Sequence, residues 1–182
     1  MTLPLRNRLP LCLLLGLCAC TATPHHLGTF RSSAGYTALY PFEWHPLDSA
    51  DDYLDLLSTN QHVEAIVIAA GEADLTVHDV RADDNRTPLT LDAALAHAIG
   101  DGRLLSRADI AMPMTPRGCS RVVEQRVRGP LDPEDVLADD TSFFCVLGPR
   151  VVEVAVVNWQ DDPKEAAYVA TALDVVKSIR AN

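Results

Sequence analysis

The chain has 182 residues, 15 basic against 25 acidic side chains, and a formal net charge of −10. That length fits one domain with at most a tail, and a 48% hydrophobic composition excludes a wholly disordered chain. The acidic balance argues against recognition of a phosphate backbone, which needs clustered positive charge, so no nucleic-acid partner is expected.

Arg6 and Arg8 precede an apolar run over residues 9–19, the layout of a secretory signal. The run is too short for a spanning helix, which takes about 20 residues. It ends in Leu17-Cys18-Ala19-Cys20, which resembles a bacterial lipobox. The resemblance implies that residues 1–19 are a lipoprotein signal peptide, removed before Cys20, and that Cys20 is acylated. Two or more acyl chains hold a protein firmly, so the membrane is an expected partner through the lipid on Cys20. Thr21, where an Asp would imply retention at the inner membrane, implies sorting to the outer membrane with the domain facing the periplasm. The alternative is an ordinary signal cut near Ala22, leaving a soluble periplasmic protein.

Cys12 and Cys18 leave with the signal. Cys119 and Cys145 then remain as an even pair in an oxidising compartment and are expected to form a structural disulfide. They lack the close Cys-x-x-Cys spacing of a redox pair.

Residues 20–33 are small and polar without a period and read as a lipidated tether; residues 34–182 read as one domain. His25 and His26 in the tether read as solvated rather than metal-binding. Residues 35–44, aromatic and partly alternating, predict a first strand ending near Pro41. Ser49 with Asp52 three residues later has the form of a capping box and predicts a short helix through Leu57. Residues 62–70 and 75–80, joined at Gly71-Glu72, predict a hairpin. Thr87-Pro88 opens a helix with Leu91, Ala94, Leu95, Ala98 and Ile99 on one face, ended by Gly100 and Gly102. His97 lies off that stripe and reads as solvated.

Residues 117–128 and 141–147 read as two strands joined by a turn-rich acidic loop. With Cys119 set opposite Cys145, Val123 falls opposite Thr141 and Gln125 opposite Asp139. Gly148-Pro149 makes the next reversal, which sets Cys145 opposite Val152 and Phe143 opposite Val154. The expected core face is therefore Cys119, Val123, Phe143, Cys145, Val152, Val154 and Val156. Asp161-Asp162-Pro163 opens a final helix, with Ala166, Val169, Leu173, Val176 and Ile179 facing the sheet.

This order predicts an α+β fold: a mostly antiparallel sheet sandwiched by helices. Tyr40-Pro41-Phe42-Glu43-Trp44 and the closing strand and helix of residues 151–179 resemble the PsbP/DcrB-like family over about residues 35–180. Glu43 stands where many relatives have Gly. The resemblance implies a PsbP-like α/β/α sandwich acting as a binding or assembly module, since family members include a photosystem-associated lumenal protein, a nuclear-import factor and many bacterial lipoproteins.

The chain carries no Gly-x-Ser-x-Gly, no His-Glu-x-x-His, no Gly-rich phosphate loop and no Cys/His cluster. No catalytic residue, metal ligand or cofactor is therefore assigned. Asp48, Asp51, Asp52 and Asp55, and Asp132, Glu134, Asp135, Asp139 and Asp140, form two acidic clusters. Neither has the spaced ligands of a Ca²⁺ loop, and both read as solvated surface. The expected function is a non-enzymatic envelope lipoprotein that binds a periplasmic protein. The alternatives are an immunity protein against a toxin delivered to the periplasm and, below that, a Ca²⁺-binding protein.

Overall fold

The structure is a computed structural model and describes residues 27–41, 45–46, 66–70, 73–82, 87–129, 138–159 and 163–182. In chain order the elements are β1 (Leu27–Ser32), β2 (Tyr36–Pro41), β3 (His45–Pro46), β4 (Ile66–Ala70), β5 (Ala73–Asp79), α1 (Leu91–His97), β6 (Arg103–Asp109), β7 (Arg121–Arg128), β8 (Ala138–Leu147), β9 (Arg150–Trp159), α2 (Glu165–Ser178) and β10 (Arg180–Ala181). They form a three-stranded sheet, β1-β2-β10, and a seven-stranded sheet, β3-β4-β5-β9-β8-β7-β6, with every pairing antiparallel. The expected α+β architecture, an antiparallel sheet between helices, is the one observed.

The large sheet buries both faces, because strand side chains alternate between them. On one face, Leu75, Val77, Val122, Phe143, Cys145, Val152, Val154 and Val156 pack with Tyr168, Ala172, Val175, Val176 and Ile179 of the α2 region. Tyr36 and Ala38 of the small sheet join the same cluster. Leu39 N–H donates to Ser178 Oγ at 2.7 Å, tying β2 to the end of α2. On the other face, Val123, Phe144 and Val151 pack with Val80 and with Ala94 and Leu95 of α1. Adjacent Phe143 and Phe144 thus serve opposite cores.

The Gly148-Pro149 hairpin has the expected register, with Cys145 opposite Val152 and Phe143 opposite Val154. A two-residue turn fixes pairing directly, and Gly148 supplies the positive φ that its first position needs. The β4–β5 hairpin also forms, with Ala70 opposite Ala73.

The β7–β8 register departs from expectation. Cys119 precedes β7 in an irregular segment, and Val122, not Cys119, lies opposite Cys145. Val123 faces Phe144, so it belongs to the α1 core rather than the face of Cys145. An odd-numbered slip reverses every side chain of a strand, which is why Val122 takes the place assigned to Val123.

Other boundaries also move. Residues 27–32, assigned to the tether, form β1 and pair along β2 from Leu27 opposite Pro41 to Ser32 opposite Tyr36. The ordered unit therefore starts at least seven residues before position 34. Gly28 lies across from Tyr40, where an added Cβ would come within 2.3 Å of the ring. Helix α1 starts at Leu91 with Thr90 as its cap; Pro88 instead bridges to Arg81. In the α2 region, Val176 and Ile179 are buried and Val169 and Leu173 pack against the core as expected, Tyr168, Ala172 and Val175 are buried with them, and Ala166 is exposed. Strand β6 was not expected. The helix expected over residues 49–57 lies outside the described residues.

Candidate functional site

Cys119 and Cys145 are joined by a disulfide, with their Cα atoms 5.3 Å apart. It ties the irregular entry to β7 onto the centre of β8, directly under α2. Both sulfurs are buried among valines and Ile179, so the bridge is part of the packing rather than a reactive group. Cys20, His25 and His26 lie outside the described residues, as do Asp48, Asp51, Asp52, Asp55, Asp132, Glu134 and Asp135. Among the described residues, no three His, Cys, Asp or Glu side chains converge as a metal site, and no helix is long and apolar enough to cross a membrane.

The described members of the acidic loop are not solvated surface. Asp139 accepts two hydrogen bonds from Arg128, at 2.7 and 2.9 Å, which hold its carboxyl below the usual range. Asp140 points to the α1 face of the sheet. Burial, with the nearby charges of Glu153 and Asp139, pushes its pKa up to about 6.

That face carries a polar cluster that sequence reasoning missed. His78 of β5 lies opposite Glu153 of β9, and its Nε2 is 3.3 Å from Glu153 Oε2. Ser142 of β8 also hydrogen-bonds Glu153, and the charge of His97 on α1 adds to the field there. Burial alone would raise the Glu153 pKa; the hydrogen bond and charge of His78, then Ser142 and His97, outweigh it and hold Glu153 below its ordinary value. Burial likewise opposes protonation of His78, but its bond to Glu153 and the charges of Glu153 and Asp79 raise its pKa. Both shifts favour opposite charges on the two side chains, with Glu153 buried and His78 half-buried. Beside it, Gln125 is fully buried, donates to the carbonyl of Leu95 in α1 at 3.0 Å, and accepts from Arg107.

The order of contacts limits the chemistry. Nucleophilic catalysis needs a base touching the hydroxyl and a third group orienting that base. Here His78 and Ser142 both turn to Glu153, so the carboxylate sits between the other two. His78 Nδ1 is buried and has no hydrogen-bond partner among the described residues. The arrangement neutralises a carboxylate, and the neighbouring Gln125 ties α1 to the sheet. The one sequence signal for it is a charged residue inside the valine-rich run Val151-Val152-Glu153-Val154, which period-two reading assigns to an exposed face.

On the α2 face, a groove of about 360 Å³ lies between the first turn of α2 and the strands β7 and β8. Glu124, Arg126, Thr141, Glu165, Ala166 and Val169 line it, and an Arg126–Glu165 ion pair spans it.

No known family model matches the chain, and no curated protein matches it in sequence. Solved structures do match in fold. The cyanobacterial PsbP protein (CyanoP) of Synechocystis sp. PCC 6803 superposes with a TM-score of 0.55 at 13% identity, over 92% of this chain and 99% of that one. The Ran-binding protein Mog1p of Saccharomyces cerevisiae superposes with a TM-score of 0.50 at 8% identity, over 86% of this chain and 96% of that one. The fold is PsbP-like. At these identities the likeness speaks for the fold alone.

Proposed function

We propose that the chain is a lipid-anchored envelope protein whose PsbP-like domain binds another protein in the periplasm and carries out no catalysis. The contact order of the cluster on the α1 face, in which Glu153 takes up both His78 and Ser142, supports the reading without catalysis. The lipobox-like Leu17-Cys18-Ala19-Cys20 behind a basic and then apolar leader supports the anchor, and Thr21 supports the outer membrane. A fold shared with a yeast protein described as Ran-binding supports a binding role for the domain.

Two experiments test the proposal. In membrane fractionation, Cys20→Ser is expected to release the protein from the outer-membrane fraction or block its processing; unchanged sedimentation and size would refute the anchor. Affinity purification from crosslinked envelopes is expected to recover one periplasmic protein reproducibly. Repeated recovery of nothing above background would refute the binding role.

A further inference from the structure

The charge of the chain is unevenly distributed. Residues 103–128 hold six arginines (Arg103, Arg107, Arg117, Arg121, Arg126, Arg128) against Asp109 and Glu124, a net charge of +4. The rest of the chain holds nine basic and 23 acidic residues, a net charge of −14. The fold places Arg103 and Arg107 on β6 and Arg121, Arg126 and Arg128 on β7, and among the described residues β6 is the outer edge of the seven-stranded sheet.

Strand β6 is exposed along its whole length, including Leu104 and Leu105 at 41% and 37%. Ile110 N–H donates to the carbonyl of Val122 on β7. By the two-residue period, Ala108 and Ser106 also turn their backbone groups to β7, and those of Arg107 and Asp109 point outward. Arg107 spends its guanidinium on the neutral amide of Gln125, so its charge is not cancelled there. Arg103 has no ion-pair partner among the described residues. The two lie on opposite faces of the strand, Arg103 beside Arg128 and Arg107 beside Gln125.

We propose that β6 is a docking edge for an extended acidic segment of a partner protein, added antiparallel or parallel as an eighth strand. The outward backbone groups of Arg107 and Asp109 would pair with the segment, and Arg103 and Arg107 would take carboxylates on its two faces. The register break at Leu105, together with the charges, blunts the edge against indiscriminate pairing, so a bare apolar strand is disfavoured. A second copy of the chain would set the same basic strip against itself.

This inference rests on the binding role proposed above, and its test can fail independently. The probe is a fluorescein-labelled peptide with Glu at alternating positions among Thr and Val, titrated with the full-length chain by fluorescence polarisation. Saturable binding that weakens with added NaCl is expected, and none to the same peptide with Lys for Glu. The Arg103→Ala/Arg107→Ala double variant should bind about ten-fold more weakly. Arg107→Pro should bind more weakly than Arg107→Ala, because only proline also removes an outward N–H. Circular dichroism and melting must match the parent for all variants; Arg107→Lys, which keeps the charge and the N–H, covers a variant that fails to fold and should retain binding. Equal affinity for the Lys peptide, or indifference to Arg107→Lys and Arg107→Ala alike, would overturn the docking edge. So would concentration-dependent dimerisation abolished by Arg107→Pro, or binding confined to phosphatidylglycerol vesicles. Loss of this edge with a partner still recovered from envelopes would leave the binding role standing.

Discussion

The two faces of the seven-stranded sheet solve the same burial problem differently. The α2 face is apolar and broad: a 14-residue helix, the disulfide and the small sheet close over Phe143, Leu75 and the valines of β9. The α1 face is covered by a seven-residue helix and holds Glu153, His78, Ser142, Asp140 and Gln125 among its apolar residues. Burial of hydrocarbon stabilises the first without regard to pH. The second depends on each polar group finding a partner, because an unpaired buried charge is destabilising. The first face is thus the source of stability and the second the place where stability responds to conditions.

Truncating the adjacent phenylalanines breaks this comparison most directly. Phe143→Ala should lose about 4 kcal/mol and Phe144→Ala about 3 kcal/mol in urea unfolding, since a short helix can close over a void more easily than a long one. Equal losses would mean the faces are equally rigid. Next, Cys119→Ala should lose about 3.5 kcal/mol in oxidising buffer, from a bridge spanning 26 residues. The same loss in excess reductant, where the parent also lacks the bond, would contradict a disulfide-based effect.

His78→Ala leaves Glu153 buried without its imidazolium and should lose about 3 kcal/mol. His78→Gln, which keeps a donor, should lose less; equal losses would deny the ion pair.

Between about pH 5 and 8, acid–base behaviour should come from the α1 face, since the carboxyls lowered by Arg128 and Arg121 titrate below that window. A carboxyl raised to about 6 in the folded state stabilises below its ordinary pKa of 3.8 and loses that contribution as pH rises through 6. His78, also raised, loses its contribution as pH climbs above 6.5, while Glu153, lowered, loses its own only below 4.5. The melting temperature should therefore peak near about pH 5 and fall toward pH 8. Asp140→Asn should flatten the part of that fall below about pH 6; an unchanged slope in differential scanning fluorimetry would refute the assignment. The smallest expected effect is Thr90→Ala, which removes the acceptor of the Ala93 N–H and should lose about 1 kcal/mol of α1 stability.

Much of the fold was legible in particular residues. Gly148-Pro149 announced a two-residue turn, and that turn set the whole β8–β9 register. Where the connection was longer, the pairing was legible and the register was not. Setting the two cysteines opposite each other put Val123 on the wrong face, since a disulfide can join residues that are not directly opposed. Strand β1 was illegible because Leu27-Gly-Thr-Phe-Arg-Ser32 has little apolar alternation; it is held by pairing with β2 and by the fit of Gly28 under Tyr40. Strand β6 has no buried side chain to show a period at all. The basic character of residues 103–128 was written in the sequence, but only the sheet order shows that Arg103 and Arg107 lie on the outermost strand among the described residues.

The sequence by itself determined the class of fold, the hairpins with tight turns and the helices α1 and α2. These follow from local chemistry: turn residues, caps and short-period patterning act over a few positions. Tertiary structure alone decided which face of β7 meets α2, which side of α2 is buried, that Glu153 meets His78, and that β6, among the described residues, pairs with β7 alone. Those outcomes depend on residues far apart in the chain, such as His78 with Glu153 and Leu39 with Ser178, 139 positions apart, and a linear pattern carries no distance between them.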